Sequence, residues 1–194
     1  GRAVGPLLVA LGDTEVTVRQ GAAAALGNIG KRAVEPVLAS LEDMEWGRWE
    51  AAALALGHIG DARAVEPLVA ALRGDDIPKR MAAAQALGKM GDAALAPLID
   101  SLKEAKEEVQ EQAAMALGSI GNARAIEPLI PVLKSRLESV RIAAAHALGK
   151  IGAPAVEPLA AALKDVYWDV RVVAAMALGE TGNERAVGPL VAAL

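Results

Sequence analysis

Apolar residues recur along this chain at helical spacing. Val140, Ala144, Ala147, Leu148 and Ile151 fall at i, i+4, i+7, i+8 and i+11, one stripe of a 3.6-residue helix. A second kind of stripe, Val65, Leu68, Val69 and Leu72, falls at i, i+3, i+4 and i+7. Asp13, Asp43, Asp76 and Asp165 stand where they can cap helices of the first kind, and Asp61, Asp92, Asn122 and Asn183 where they can open the second. The pattern predicts two helix types in alternation.

That alternation is periodic. The segment Ala-Leu-Gly recurs with its glycine at Gly27, Gly57, Gly88, Gly118, Gly149 and Gly179, and a second glycine follows three residues later each time. Seven of the 10 prolines share one phase: Pro6, Pro36, Pro67, Pro97, Pro128, Pro158 and Pro189, spaced by 30 or 31 residues. The second glycine is placed for a left-handed C-terminal cap. The proline falls a few residues into the second helix, where an interior proline loses a hydrogen bond and clashes with the turn before it; a bent first turn is therefore predicted.

One helix pair cannot bury its stripe alone, but stacked neighbours share a continuous core. Small pairs such as Ala83-Ala84 and Ala144-Ala145 let the first helices approach closely. The expected fold is all-α, an α-solenoid of about thirteen helices with a 30/31-residue period. It is read as a single domain over 1–194: a proline-bearing helix at 1–12, then helix pairs at 13–43, 44–75, 76–105, 106–136, 137–165 and 166–194. Neither end carries a polar capping repeat. The chain is expected to be part of a longer array, or to self-associate through its uncapped ends.

Composition narrows the chemistry. Ala and Leu make up 68 of the 194 residues, while Phe is absent and Tyr occurs once, which excludes an all-β fold. With no cysteine there is neither a disulfide framework nor a thiolate site. The net charge of -4 gives no general attraction to nucleic acid or an anionic bilayer, and no apolar stretch is long enough to span one. No nucleic-acid or membrane partner is expected, and a cytoplasmic location is.

The motif V-R-x-x-A-A-x-A-L-G-x-I-G followed by R-A-V-E-P-L resembles the HEAT-like repeat of the phycobilisome lyase type, also seen in engineered α-repeat proteins. Its best copies run from Val18 to Gly30, Val140 to Gly152 and Val170 to Gly182. Departures include Arg48-Trp49 and Lys79-Arg80 for Val-Arg, Gln110 for Arg, and 93–96 in place of R-A-V-E. One enzyme similar to this family, deoxyhypusine hydroxylase, holds iron through His-Glu pairs on the first helix. The matching positions here, among them Gln20-Gly21, Glu50-Ala51, Met81-Ala82 and Ile142-Ala143, contain no such pair.

Catalytic candidates are few. His58 and His146 are the only histidines, 88 residues apart, and at about 10 Å per stacked repeat they cannot share one ion. The Ala-Leu-Gly glycines recur at helix ends with no preceding strand, so they are structural and not a nucleotide fingerprint. The chain is expected to be no enzyme and to hold no metal and no cofactor.

The phase opposite the apolar stripe defines a separate face of the first helices. The engineered members imply that it lines the concave side and carries partner specificity. In this sequence it comprises seven acidic residues, two lysines and an apolar series. The expected partner-binding residues are Trp46, Glu50, Leu54, Met81, Gln85, Glu108, Glu111, Gln112, Met115, Ile142, His146, Trp168, Val172 and Met176. The function expected is a non-catalytic scaffold that binds a protein partner of basic or mixed charge on this face; the alternative is an accessory subunit of a bilin lyase-type or other enzyme complex.

Overall fold

The computed structural model describes residues 3–41 and 46–193, with Trp46 described by its backbone alone. The helices follow in the order α1 (Val4–Ala10), α2 (Val16–Ile29), α3 (Val34–Ser40), α4 (Trp46–Ile59), α5 (Val65–Arg73), α6 (Ile77–Met90), α7 (Asp92–Ser101), α8 (Glu107–Ile120), α9 (Ile126–Leu129), α10 (Glu138–Ile151), α11 (Val156–Ala162), α12 (Trp168–Glu180) and α13 (Val187–Ala192). No strand occurs among the described residues. Even-numbered helices are the first type and odd-numbered ones the proline-bearing type. The chain divides into two compact units, Gly1–Ala94 and Leu95–Leu194. In the first unit α2 packs on α4 and α4 on α6; in the second α8 packs on α10 and α10 on α12. This is α-solenoid stacking.

Both predicted stripes form the core. Val140, Ala144, Ala147, Leu148 and Ile151 are buried, as are Val65, Leu68, Val69 and Leu72. The leucine of each Ala-Leu-Gly segment from Leu26 through Leu178 is at most 1% exposed, and each such burial stabilises by roughly 1.5–3 kcal/mol. The glycine beside it sets the spacing. A Cβ on Gly57 would lie 3.0 Å from the Ala86 backbone, so α4 and α6 meet closer than any larger residue allows.

The second helices begin with the bend that the proline requires. Asp61 accepts a hydrogen bond from the Arg63 backbone N–H, a 3-10 turn spans Ala62–Ala64, and α5 starts at Val65. Pro67 is then the third helical residue, where a missing N–H leaves no intrahelical acceptor unpaired. Asn122 and Asn183 cap the equivalent turns through Arg124 and Arg185. Two copies differ. In α7 the run Ala93-Ala94-Leu95-Ala96 continues the helix from Asp92 and leaves Pro97 inside it. In the next copy an additional proline, Pro131, ends α9 after four residues and converts the remainder to a 3-10 turn, Ile130–Lys134.

Some local expectations need correction. Of the carboxylates expected to cap first helices, Asp76 does so, accepting from the Lys79 N–H at 3.0 Å. Asp13 and Asp165 instead accept from Glu15 and Tyr167 and close the turn just ahead of the helix. Asp43 lies outside the described residues. The glycine caps all have positive φ, but only some are left-handed helical. Gly121 is (φ 69, ψ 17), whereas Gly152 has φ 80 and ψ -137, a region that essentially only glycine enters.

Candidate functional site

Each first helix presents the same four rungs on the side away from the core. In the first unit they read Val16, Gln20, Ala24 and Asn28 on α2; Trp46, Glu50, Leu54 and His58 on α4; and Ile77, Met81, Gln85 and Lys89 on α6. In the second they read Glu107, Glu111, Met115 and Ser119 on α8; Glu138, Ile142, His146 and Lys150 on α10; and Trp168, Val172, Met176 and Glu180 on α12. A spacing of four residues keeps them in line along each helix.

The predicted partner-binding residues sit on these rungs or beside them. Glu50, Met81, Gln85, Glu108, Met115, His146, Trp168, Val172 and Met176 are exposed, and Leu54, Glu111, Gln112 and Ile142 are half-buried. The Trp46 side chain lies outside the described residues. Met115 and Met176, on equivalent rungs, are 50% and 47% exposed, whereas Leu54 on the same rung of α4 is half-buried. The face is narrower than the helical phase alone implies. Ala51, Ala82, Ala143 and Val173, one residue beyond the second rung, are buried.

Polar groups fix the geometry around the face. His146 Nδ1 lies 2.6 Å from Glu180 Oε2 and links α10 to α12. This pair joins residues 34 apart and escaped the sequence reading, which treated His146 alone. Gln112 donates to the Met115 sulfur at 3.7 Å. In the first unit a shallow depression of about 570 Å³ is lined by Ala24, Gly27, Asn28, Gly57, His58 and Lys89. Burial there and the Lys89 ammonium hold the His58 imidazole below its usual range.

A second set of residues holds the loops that carry the helices. Arg141 donates to the carbonyls of Ser135 and Arg136, and Arg171 to those of Asp165 and Val166. Arg19 does the same to Asp13 and Thr14. Gln110, the departure from the repeat pattern, still reaches the Glu104 carbonyl at 2.7 Å. The recurrent Val-Arg was visible in the sequence, but its role was not. In the second repeat Trp49 takes the arginine's place and is buried, with the Lys79 ammonium 5.9 Å from its ring centroid. Between repeats, Arg63 pairs with Glu35 and Arg185 with Glu157.

Among the described residues no three His, Cys, Asp or Glu side chains are grouped to hold a metal ion. No helix of the described chain is long and apolar enough to cross a membrane.

The fold and the repeated face define a helical-repeat scaffold. The sequence pattern of HEAT repeats matches residues 41–107 and 95–171, and that of the PBS lyase HEAT-like repeat matches 18–43 and 170–194. The chain belongs to the HEAT-repeat family. No curated protein matches the sequence significantly. Among solved structures it is similar to a chain in the complex of CpcE and CpcF of phycocyanin lyase from Nostoc sp. PCC7120, at 28% identity, over 96% of this chain and 79% of that one, with a TM-score of 0.54. Human deoxyhypusine hydroxylase shares the fold at 21% identity, over 95% and 86% of the two chains, with a TM-score of 0.51. The Escherichia coli protein YibA shares it at 20% identity, over 97% and 74%, with a TM-score of 0.58.

These likenesses correct the expectation that the chain is no enzyme. The similar structures include a chain of a lyase complex at 28% identity, so the missing catalytic motif is no ground for excluding an enzymatic or enzyme-subunit role.

Proposed function

We propose that the chain is a protein-binding scaffold that seats its partner on the rungs of the first helices. One observation carries this reading. Met81, Met115, Trp168, Val172 and Met176 are 47–69% exposed, although they stand on helices whose opposite faces are fully packed. Apolar side chains held open on a rigid support favour association, because covering them removes apolar surface from water without a large ordering cost. Methionines adapt to irregular partners, and tryptophan anchors interfaces.

A second reading rests on the likeness to the CpcE–CpcF complex. In it the scaffold works as a subunit of a lyase-type enzyme assembly, with the same face docking another subunit or the substrate protein. Hydrogen–deuterium exchange with a captured partner tests the common element. Protection confined to α4, α6, α8, α10 and α12 supports it; protection confined to the proline-bearing helices contradicts it.

A further inference from the structure

We infer that the face of α8, α10 and α12 takes a basic peptide segment, one that alternates apolar side chains with lysine or arginine. The inference rests on the docking reading above and names the chemistry of what docks. Met115, Ile142, Trp168, Val172 and Met176 form the apolar part of this face, and Glu107, Glu108, Glu111 and Glu138 flank it along the starts of α8 and α10. Among the described residues none of these four carboxylates has an ion-pair partner. Of the other charged groups here, Glu180 contacts His146, Asp169 lies 3.6 Å from Arg141, Lys150 is exposed on the last rung, and Lys106 and Arg136 are exposed just ahead of α8 and α10.

The carboxylates do have one local effect. Glu107, Glu108 and Glu138 lie in the first turns of their helices, where negative charge favours the helix dipole. That effect does not require carboxylates on the rungs: α2 and α6 form the same fourteen-residue elements with Glu15 and Asp76 at their N-caps and no acidic residue in their first turns, and α2, α4 and α6 present Glu50 as the only carboxylate on their rungs. The acidity of the rungs is therefore particular to the second unit and coincides there with the exposed apolar side chains. A neutral or acidic ligand that covered the apolar rungs would bring these carboxylates into a drier setting without compensation, whereas a basic one neutralises them.

The test uses the intact chain and short peptides of equal length that alternate leucine with lysine, with glutamine or with glutamate, titrated calorimetrically at low and moderate salt. The lysine peptide is expected to bind best and to weaken with salt. The triple variant Glu107→Gln, Glu111→Gln, Glu138→Gln is expected to bind it about tenfold more weakly, and Glu127→Gln on α9 is expected to change nothing. Equal binding of the three peptides, or an undiminished affinity in the triple variant, overturns the inference. In that event Met115→Lys with Met176→Lys separates the two levels. If the double variant abolishes binding of the uncharged peptide, the face docks partners without charge preference; if it does not, the docking reading fails as well.

Discussion

Gly118 and Ala147 are in backbone contact across α8 and α10: a Cβ on Gly118 would lie 2.7 Å from the Ala147 Cα. The same closeness recurs at Gly27 against His58 and at Gly149 against Glu180, while a Cβ on Gly179 would meet nothing within 4 Å. The repeated glycine is thus a spacer between stacked helices. Gly118→Ala should force the helices apart and destabilise by about 1–3 kcal/mol. Gly179→Ala should be neutral or stabilising by up to about 1 kcal/mol, since alanine is the better helix former. Urea unfolding of the two variants decides this, and equal midpoints would remove the spacer role.

Leu117 is 0% exposed on the core side of α8, and Gln112 is half-buried beside the second rung of the same helix. Leu117→Asp buries an unpaired charge and should cost several kcal/mol, roughly the 2–7 kcal/mol of an uncompensated polar burial or more. Gln112→Asp should leave the thermal midpoint nearly unchanged. Equal losses in thermal melts would reverse the inside and outside assigned here.

The arginine anchors make a finer prediction. Arg141→Ala frees the carbonyls of Ser135 and Arg136 and should destabilise by about 1.5–3 kcal/mol, the range for hydrogen bonds to charged groups. Arg141→Gln should recover most of that loss, because Gln110 already makes the equivalent bond. Hydrogen exchange of residues 135–137 should accelerate in the alanine variant and not in the glutamine one.

Much of this was legible in the sequence, and the gaps share one cause. Stripe, period and proline bend depend on residues within one repeat, so Val140 through Ile151 and Pro67 could be placed by spacing alone. Burial of Ala51, Ala82, Ala143 and Val173, and the pairing of His146 with Glu180, depend on how one first helix is rotated against the next. No local pattern encodes that rotation. The Arg141 anchor was hidden differently: its acceptors are backbone carbonyls, which carry no sequence signal. Of the candidate face, the exposed methionines were predictable from phase, and its narrowness was not.

Acid should weaken the fold through the turn carboxylates. The side-chain hydrogen bond from Arg63, with that from its backbone, holds Asp61 down to about 2, and Lys134 holds Asp165 below its usual value. A depressed folded-state pKa stabilises above the ordinary carboxyl range, and that contribution is lost as pH falls through the depressed value. Unfolding followed between about pH 4 and pH 2 should show falling stability. Asp61→Asn should flatten this limb while keeping the backbone cap, as Asn122 and Asn183 do. An unaltered slope in that variant would assign the acid response to other groups.

One affinity measurement tests whether the first-helix rungs bind the partner. The chain, the double variant Met115→Lys with Met176→Lys, and a control with Glu127→Lys on α9 are each titrated with a protein partner recovered by pull-down, with folding verified by circular dichroism. Both methionines are about half exposed, so lysine is tolerated there without unfolding. The double variant is expected to lose binding by at least about tenfold and the control to retain the original Kd. An unchanged Kd in the folded double variant, or a loss confined to the control, would contradict binding at the rungs.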